Sequence, residues 1–198
     1  MAARGSPGGG DGIIVAVTLL ARVNRAVAAV VGLSLLLTVA LILAEVGLRA
    51  TTRGMLGGTD EISGYVMAGA SAWGFAFALL ERAHVRIDLL HRRLPTLGRA
   101  ALDLLATASI AVVAGLVAFH GWSVLAKTIA RDSRSNTALE VPLWIPQSIW
   151  LAGWVWFAAC ALFLLVAGAL LVARGAAGAA EAVIGMTDEV ADELEGTA

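Results

Sequence analysis

Apolar residues come in four long runs, 26–46, 62–80, 102–122 and 145–172, and the stretches between them hold most of the charge. Only Ser34, Thr38 and Glu45 interrupt the first run. A helix rises about 1.5 Å per residue and the hydrocarbon of a bilayer is roughly 30 Å thick, so about 20 apolar residues cross it. As a helix, each run closes its backbone hydrogen bonds internally, which a lipid environment demands. Leu, Ala and Val dominate throughout, and the alternation expected of a membrane barrel is absent. The pattern predicts an all-α membrane protein of four transmembrane helices. The fourth run exceeds what a bilayer needs, so its Trp-rich start lies in the interface or the helix tilts.

Breaks in the pattern carry their own signals. Arg49, Arg53, Gly54, Gly57 and Gly58 end the first run, and Thr59, Asp60 and Glu61 make an acidic, capping-type start for the second. Pro95 closes the segment after the second run; Pro142 and Pro146 precede and open the fourth. Trp122, Trp144 and Trp150 flank the third loop, as an aromatic belt at one membrane face does.

Composition agrees with this reading. Of 198 residues, 59% are hydrophobic and 15% charged, with mean hydropathy +0.84; a soluble domain carries nearer 25% charge. The net charge of −1 argues against nucleic acid as a partner. Cys160 is the sole cysteine, so neither an internal disulfide nor a Cys-rich metal site can form. Lys and Arg number nine on the side of the N-terminal arm, second loop and tail, against five on the other. Both termini and the second loop are therefore expected in the cytoplasm. Residues 1–25 read as a cytoplasmic arm whose apolar stretch 13–20 is too short to span and lies along the interface. The first run is longer than the h-region of a signal peptide, about 7–15 residues, so no cleavage is expected. Residues 173–198 read as a solvated acidic tail, partly helical.

The second loop, from Glu81 to Pro95, is the most patterned. At helical spacing Ala83, Ile87, Leu90 and Leu94 share one face, while Glu81, His84, Asp88, His91 and Arg92 share the opposite one. That predicts an amphipathic helix on the bilayer surface, between the second and third spans, with arginines toward anionic lipid. Asp88 and Arg92 stand four apart in the favourable order. His84, Asp88 and His91 fall where they could share a metal ion, but no fourth ligand is near and arginines flank them, so no metal is expected. A haem would need axial histidines facing each other inside the bilayer. His84 and His91 lie outside the spans and His120 stands alone near the opposite end.

The segment His84-Val85-Arg86-Ile87-Asp88-Leu89-Leu90, followed by Leu94-Pro95, resembles the signature of the small permease subunit (DctQ-like) of tripartite ATP-independent periplasmic (TRAP) transporters. Similar too are Glu45-Val46-Gly47-Leu48-Arg49 leaving the first run, Glu61 opening the second, and Val141-Pro142-Leu143-Trp144-Ile145-Pro146 before the fourth. Ala50 departs from the family, which often has an aromatic residue there. The resemblance covers all four spans. It implies a non-catalytic scaffold subunit of a sodium-coupled importer of small organic acids in the bacterial inner membrane. Its implied partners are a large permease subunit, which holds the solute and sodium sites, and a periplasmic solute-binding protein. The motif residues Glu45, Arg49, Glu61, His84, Arg86, Asp88, Arg92, Pro142 and Pro146 are then expected at contacts with the large subunit or with membrane lipid.

The remaining charges fit the same picture. Glu45 is the one acidic residue embedded in an apolar run beyond its first two positions, with Arg49 one turn later; the two are expected to pair and snorkel at the interface. Asp103 with nearby Arg99 reads likewise. Gly69, Trp73 and Gly74, and Ala114 with Ala118, mark faces suited to close helix packing. No nucleophile with its base, no phosphate loop and no paired carboxylates appear within a span. The middles of the spans lack the polar groups of a self-contained transporter, so no enzyme activity and no cofactor are expected. The alternative of a different class is a haem-bearing membrane anchor of an oxidoreductase.

Overall fold

The computed structural model describes residues 10–52, 57–82, 94–137 and 139–185. Among the described residues five helices follow one another: α1 (Gly10–Thr52), α2 (Thr59–Leu80), α3 (Thr96–Ala130), α4 (Trp144–Ala173) and α5 (Ala177–Ile184). The first four are long and apolar enough to cross a membrane. Apart from one isolated bridge between Arg134 and Pro142, the described residues are helices and turns. The surface helix expected between the second and third spans falls on residues 83–93, outside the described residues.

α1 differs from expectation. It is one helix of 43 residues, about 65 Å long at 1.5 Å per residue, and the apolar stretch 13–20 is its first part rather than a separate piece. No glycine or proline stands between Gly12 and Gly32. Arg22 and Arg25 interrupt the hydropathy, yet arginine is a good helix former and leaves the backbone unbroken. Ile13, Val17 and Leu20 pack against the core.

The start of α2 also differs. Gly58, at φ +78, occupies the cap position, no side chain caps the helix, and Thr59 is its first residue. Two successive glycines, Gly57 and Gly58, take left-handed conformations that a residue with a Cβ rarely adopts. Asp60 and Glu61 lie in the first turn, where the helix dipole favours negative charge. α3 runs past the apolar run at both ends, from Pro95 at its cap position to Lys127 in its last turn. Pro146 sits in the first turn of α4, where its missing N–H has no partner to lose.

α4 forms the centre of the bundle. It packs against α3 on one side and α2 on the other; α1 lies against α2, and α5 folds back over α4 and α3. The core runs through Ala76, Leu79, Ala114, Phe157, Cys160, Ala161, Leu164 and Leu171. Small residues set the spacing. A Cβ on Gly153 would stand 2.9 Å from the Ala72 Cβ, so α2 and α4 approach as closely as backbones without side chains allow. Phe75 of α2 stacks near Trp154 and Phe157 of α4, at 5.2 and 5.6 Å between ring centres. Gly69 and Trp73 face Ile149 of α4, so that face is used within the chain, whereas Gly74 points into open space.

The start of the expected solvated tail is packed. Ala180, Val183 and Ile184 of α5 are buried, and Gly168 of α4 makes room for Ile184, whose Cδ1 would lie 2.6 Å from an added Cβ. Outward-facing Val30, Leu36, Leu43, Val112, Leu116 and Phe119 are all exposed. Apolar surface of that extent belongs in lipid.

Candidate functional site

Among the described residues of α1, those that are buried are all polar. Asn24, Thr38 and Glu45 are 1%, 7% and 9% exposed. Their spacing in multiples of seven keeps them on one stripe of the helix, the period at which helices pack side by side. The Thr38 hydroxyl donates to the Ser34 carbonyl at 2.8 Å, the usual solution for a hydroxyl in an apolar helix. At Glu45, the Arg49 Nη2 donates to Oε1 at 3.1 Å. Arg49 reaches out while the Glu45 carboxyl stays covered, and its Oε2 is buried with no hydrogen-bond partner.

Asn24 is the polar residue that sequence reasoning missed. The Trp156 indole N–H donates to Asn24 Oδ1 at 3.2 Å, and Asn24 Nδ2 donates to Cys160 Sγ at 3.8 Å and to the Leu20 carbonyl at 3.0 Å. Both partners on α4 lie more than 130 positions along the chain, beyond the reach of local pattern. Its setting between Arg22 and Arg25 masked it, since an amide beside charges reads as solvated, although an amide facing a neighbouring helix can bond across to it.

At one end of the bundle Glu61 organises the third loop. Its Oε1 accepts from the Tyr65 hydroxyl at 2.6 Å, and its Oε2 accepts from the Thr137 hydroxyl. Thr137 in turn bonds Ser135, whose Oγ accepts from the Val141 N–H at 2.9 Å. Backbone bonds from Ser135 N to Val141 O and from Leu143 N to Ser133 O close the loop upon itself. Asp132 and Glu140 adopt left-handed φ values of 43° and 45° within it. The Leu139 side chain sits on Gly58, in space that a Cβ there would take. The loop is thus tied to the first turn of α2, and Pro142 holds its place through the bridge to Arg134.

At the other end, Arg25 Nε pairs with Glu81 Oε1 at 2.8 Å, joining α1 to the end of α2. Arg99 pairs with Glu181 of α5 at 3.3 Å. Asp103 is 1% exposed, so it is buried within the bundle and does not snorkel. Of the motif residues, Glu45 and Arg49 meet each other, Glu61 meets the third loop, and Pro146 lines a groove between α1, α2 and the start of α4. His84, Arg86, Asp88 and Arg92 lie outside the described residues.

Among the described residues no group of three or more His, Cys, Asp or Glu could hold a metal ion. His120 is exposed on α3, its Nδ1 2.9 Å from the Leu116 carbonyl of its own helix. What the site can do is hold helices and loops together.

The sequence profile of the DctQ component of tripartite ATP-independent periplasmic transporters matches residues 38–182. The chain belongs to this family. The matched DctQ region takes in the end of α1, all of α2 to α4, and α5 as far as Ala182. Asn24 lies before it. The chain is therefore a multi-pass membrane protein and a small component of a TRAP transporter, a family of transport components and not of enzymes. The DctQ assignment gives the haem-anchor alternative no support. No curated protein and no solved structure gives a significant match.

Proposed function

We propose that this chain is the scaffold subunit of a sodium-coupled secondary importer of small organic acids. It works beside a large permease subunit, which carries the solute and sodium sites and to which a periplasmic binding protein delivers the solute. The assembly sits in the bacterial inner membrane with both termini of this chain in the cytoplasm. The excess of Lys and Arg beside the arm, second loop and tail supports that orientation.

The observation that carries the reading is the way polar groups inside the bundle are used. Asn24, Thr38 and Thr107 are spent on hydrogen bonds to their own helix or to a neighbouring one. The groove between α1, α2 and α4 is lined almost wholly by carbon. A transporter that binds its own solute needs converging polar groups near mid-bilayer. A scaffold needs close helix packing and an apolar exterior, and this chain has both.

Purification of the tagged chain from its native membrane tests the proposal. A many-span permease is expected to accompany it, with no haem absorbance near the Soret region. A redox partner with a Soret band would replace this reading with the oxidoreductase anchor.

A further inference from the structure

α1 and α4 meet at Asn24 and Trp156, and above that contact a groove of about 760 Å3 opens between them, floored by α2. Its lining includes Ala26, Val30, Ser34, Gly69, Trp73 and Ile149. The polar groups along it are already engaged. The Ser34 hydroxyl donates to the Val31 carbonyl at 2.7 Å, the Trp73 indole donates to the Ile149 carbonyl at 3.0 Å, and the Tyr65 hydroxyl donates to Glu61. An occupant thus meets hydrocarbon and no free donor.

Length and charge narrow the choice. Along α1 the lining runs from Val23 to Ser34, about 16 Å at 1.5 Å per residue, close to the roughly 15 Å of one leaflet. An extended acyl chain needs only a narrow apolar track of that length, and the groove supplies one. At the Val23 end stands Arg22, one turn before Ala26 on the same ridge of α1. It is exposed and makes no ion pair or hydrogen bond among the described residues. Arg25 follows, exposed, with its Nε on Glu81, and Arg82 adjoins that glutamate. Three arginines against one glutamate leave this end positively charged, at the place where the phosphate of a chain lying in the groove would sit.

We propose that the groove holds one acyl chain of an anionic glycerophospholipid from the leaflet on the Arg22 side, with Arg22 and Arg25 at its phosphate. The lipid fills the wedge between α1 and α4 and keeps α1 seated on α2. This site is independent of the scaffold reading, since it requires only the isolated chain and a membrane lipid.

The test uses the purified full chain in detergent, titrated with phosphatidylglycerol brominated at mid-chain and with phosphatidylcholine carrying the same chains. Quenching of tryptophan fluorescence reports the bromines near Trp73, and Trp73→Phe identifies that component. Phosphatidylglycerol is expected to bind at least five-fold more tightly, and Arg22→Ala to remove about five-fold of that preference, the effect of one arginine near an anionic surface. Arg22→Lys should retain it. Val30→Phe, which fills the groove from an exposed position, should weaken quenching by both lipids. Equal binding of the two lipids, or silence of both Arg22→Ala and Val30→Phe, overturns the proposal. So does a photoreactive residue at position 30 that, in native membranes, captures a protein helix in place of lipid.

Discussion

The Trp156 indole donates to the Asn24 side-chain oxygen at 3.2 Å, tying the outlying α1 to the central α4. α1 otherwise lies chiefly against α2. Without this bond the indole N–H and the Asn24 Oδ1 would lose their partners, while Nδ2 keeps its bonds to Leu20 and Cys160. Asn24→Leu leaves the indole unsatisfied and should cost about 1–3 kcal/mol. Trp156→Phe in the same chain removes the orphaned donor, so the double variant should lose less than the two single losses added. Thermal unfolding in detergent of the four proteins of the cycle measures this. Strict additivity would show that the pair does not act together.

Gly153 sets the distance between α2 and α4. Gly153→Val places carbon where Ala72 and Trp73 already stand and should cost about 1–3 kcal/mol by overpacking. Gly74→Ala on α2 meets nothing within 4 Å and should be neutral or slightly stabilising. The pair, compared by thermal unfolding, separates a packing effect from a general intolerance of side chains at glycine.

The third loop should loosen when Glu61 loses its charge. Glu61→Gln weakens the bond from Thr137, and Thr137→Val removes its donor. Arg131 and Arg134 are exposed on that loop. Trypsin should therefore cut there several-fold faster in either variant, while cleavage after Arg174 keeps its rate. Unchanged cleavage at Arg131 and Arg134 would mean that backbone bonds alone hold the loop.

α5 is held by burial more than by charge. Its ion pair to Arg99 is partly exposed and should contribute about 0.2–1 kcal/mol, whereas Ile184 is 3% exposed and packs over Gly168. Glu181→Ala should raise amide exchange across 177–184 slightly, and Ile184→Asp should raise it strongly. An equal rise in both would contradict this ranking.

Much of the fold was legible in the apolar runs. Run length marks a span because lipid leaves the backbone no partner but itself, so 62–80 and 145–172 fall within a few residues of α2 and α4. Helix ends were less legible, since they depend on breakers and not on hydropathy; α1 continues through Arg22 and Arg25 for that reason. α5 was hidden by its setting. Ala180, Val183 and Ile184 make an apolar stripe at helical spacing, but the acidic residues around them suggested solvent. Pairings such as Glu61 with Thr137, or Asn24 with Trp156, are set by the packing of distant helices, and no local spacing encodes them.

Orientation is open to direct measurement. With Cys160 replaced, single cysteines at positions 92 and 134 can be probed from outside intact cells by a reagent that does not cross the membrane. Label is expected at 134 and not at 92. The reverse pattern would invert the proposed topology.

Transport in reconstituted vesicles tests the scaffold assignment most directly. This chain alone in proteoliposomes should move no solute under a sodium gradient, because the groove between its helices is lined almost wholly by carbon and offers a solute no converging polar groups. Adding the large permease and the binding protein should produce sodium-dependent uptake, which omission of this chain abolishes. Sodium-driven uptake by this chain alone, or full uptake without it, would contradict the account.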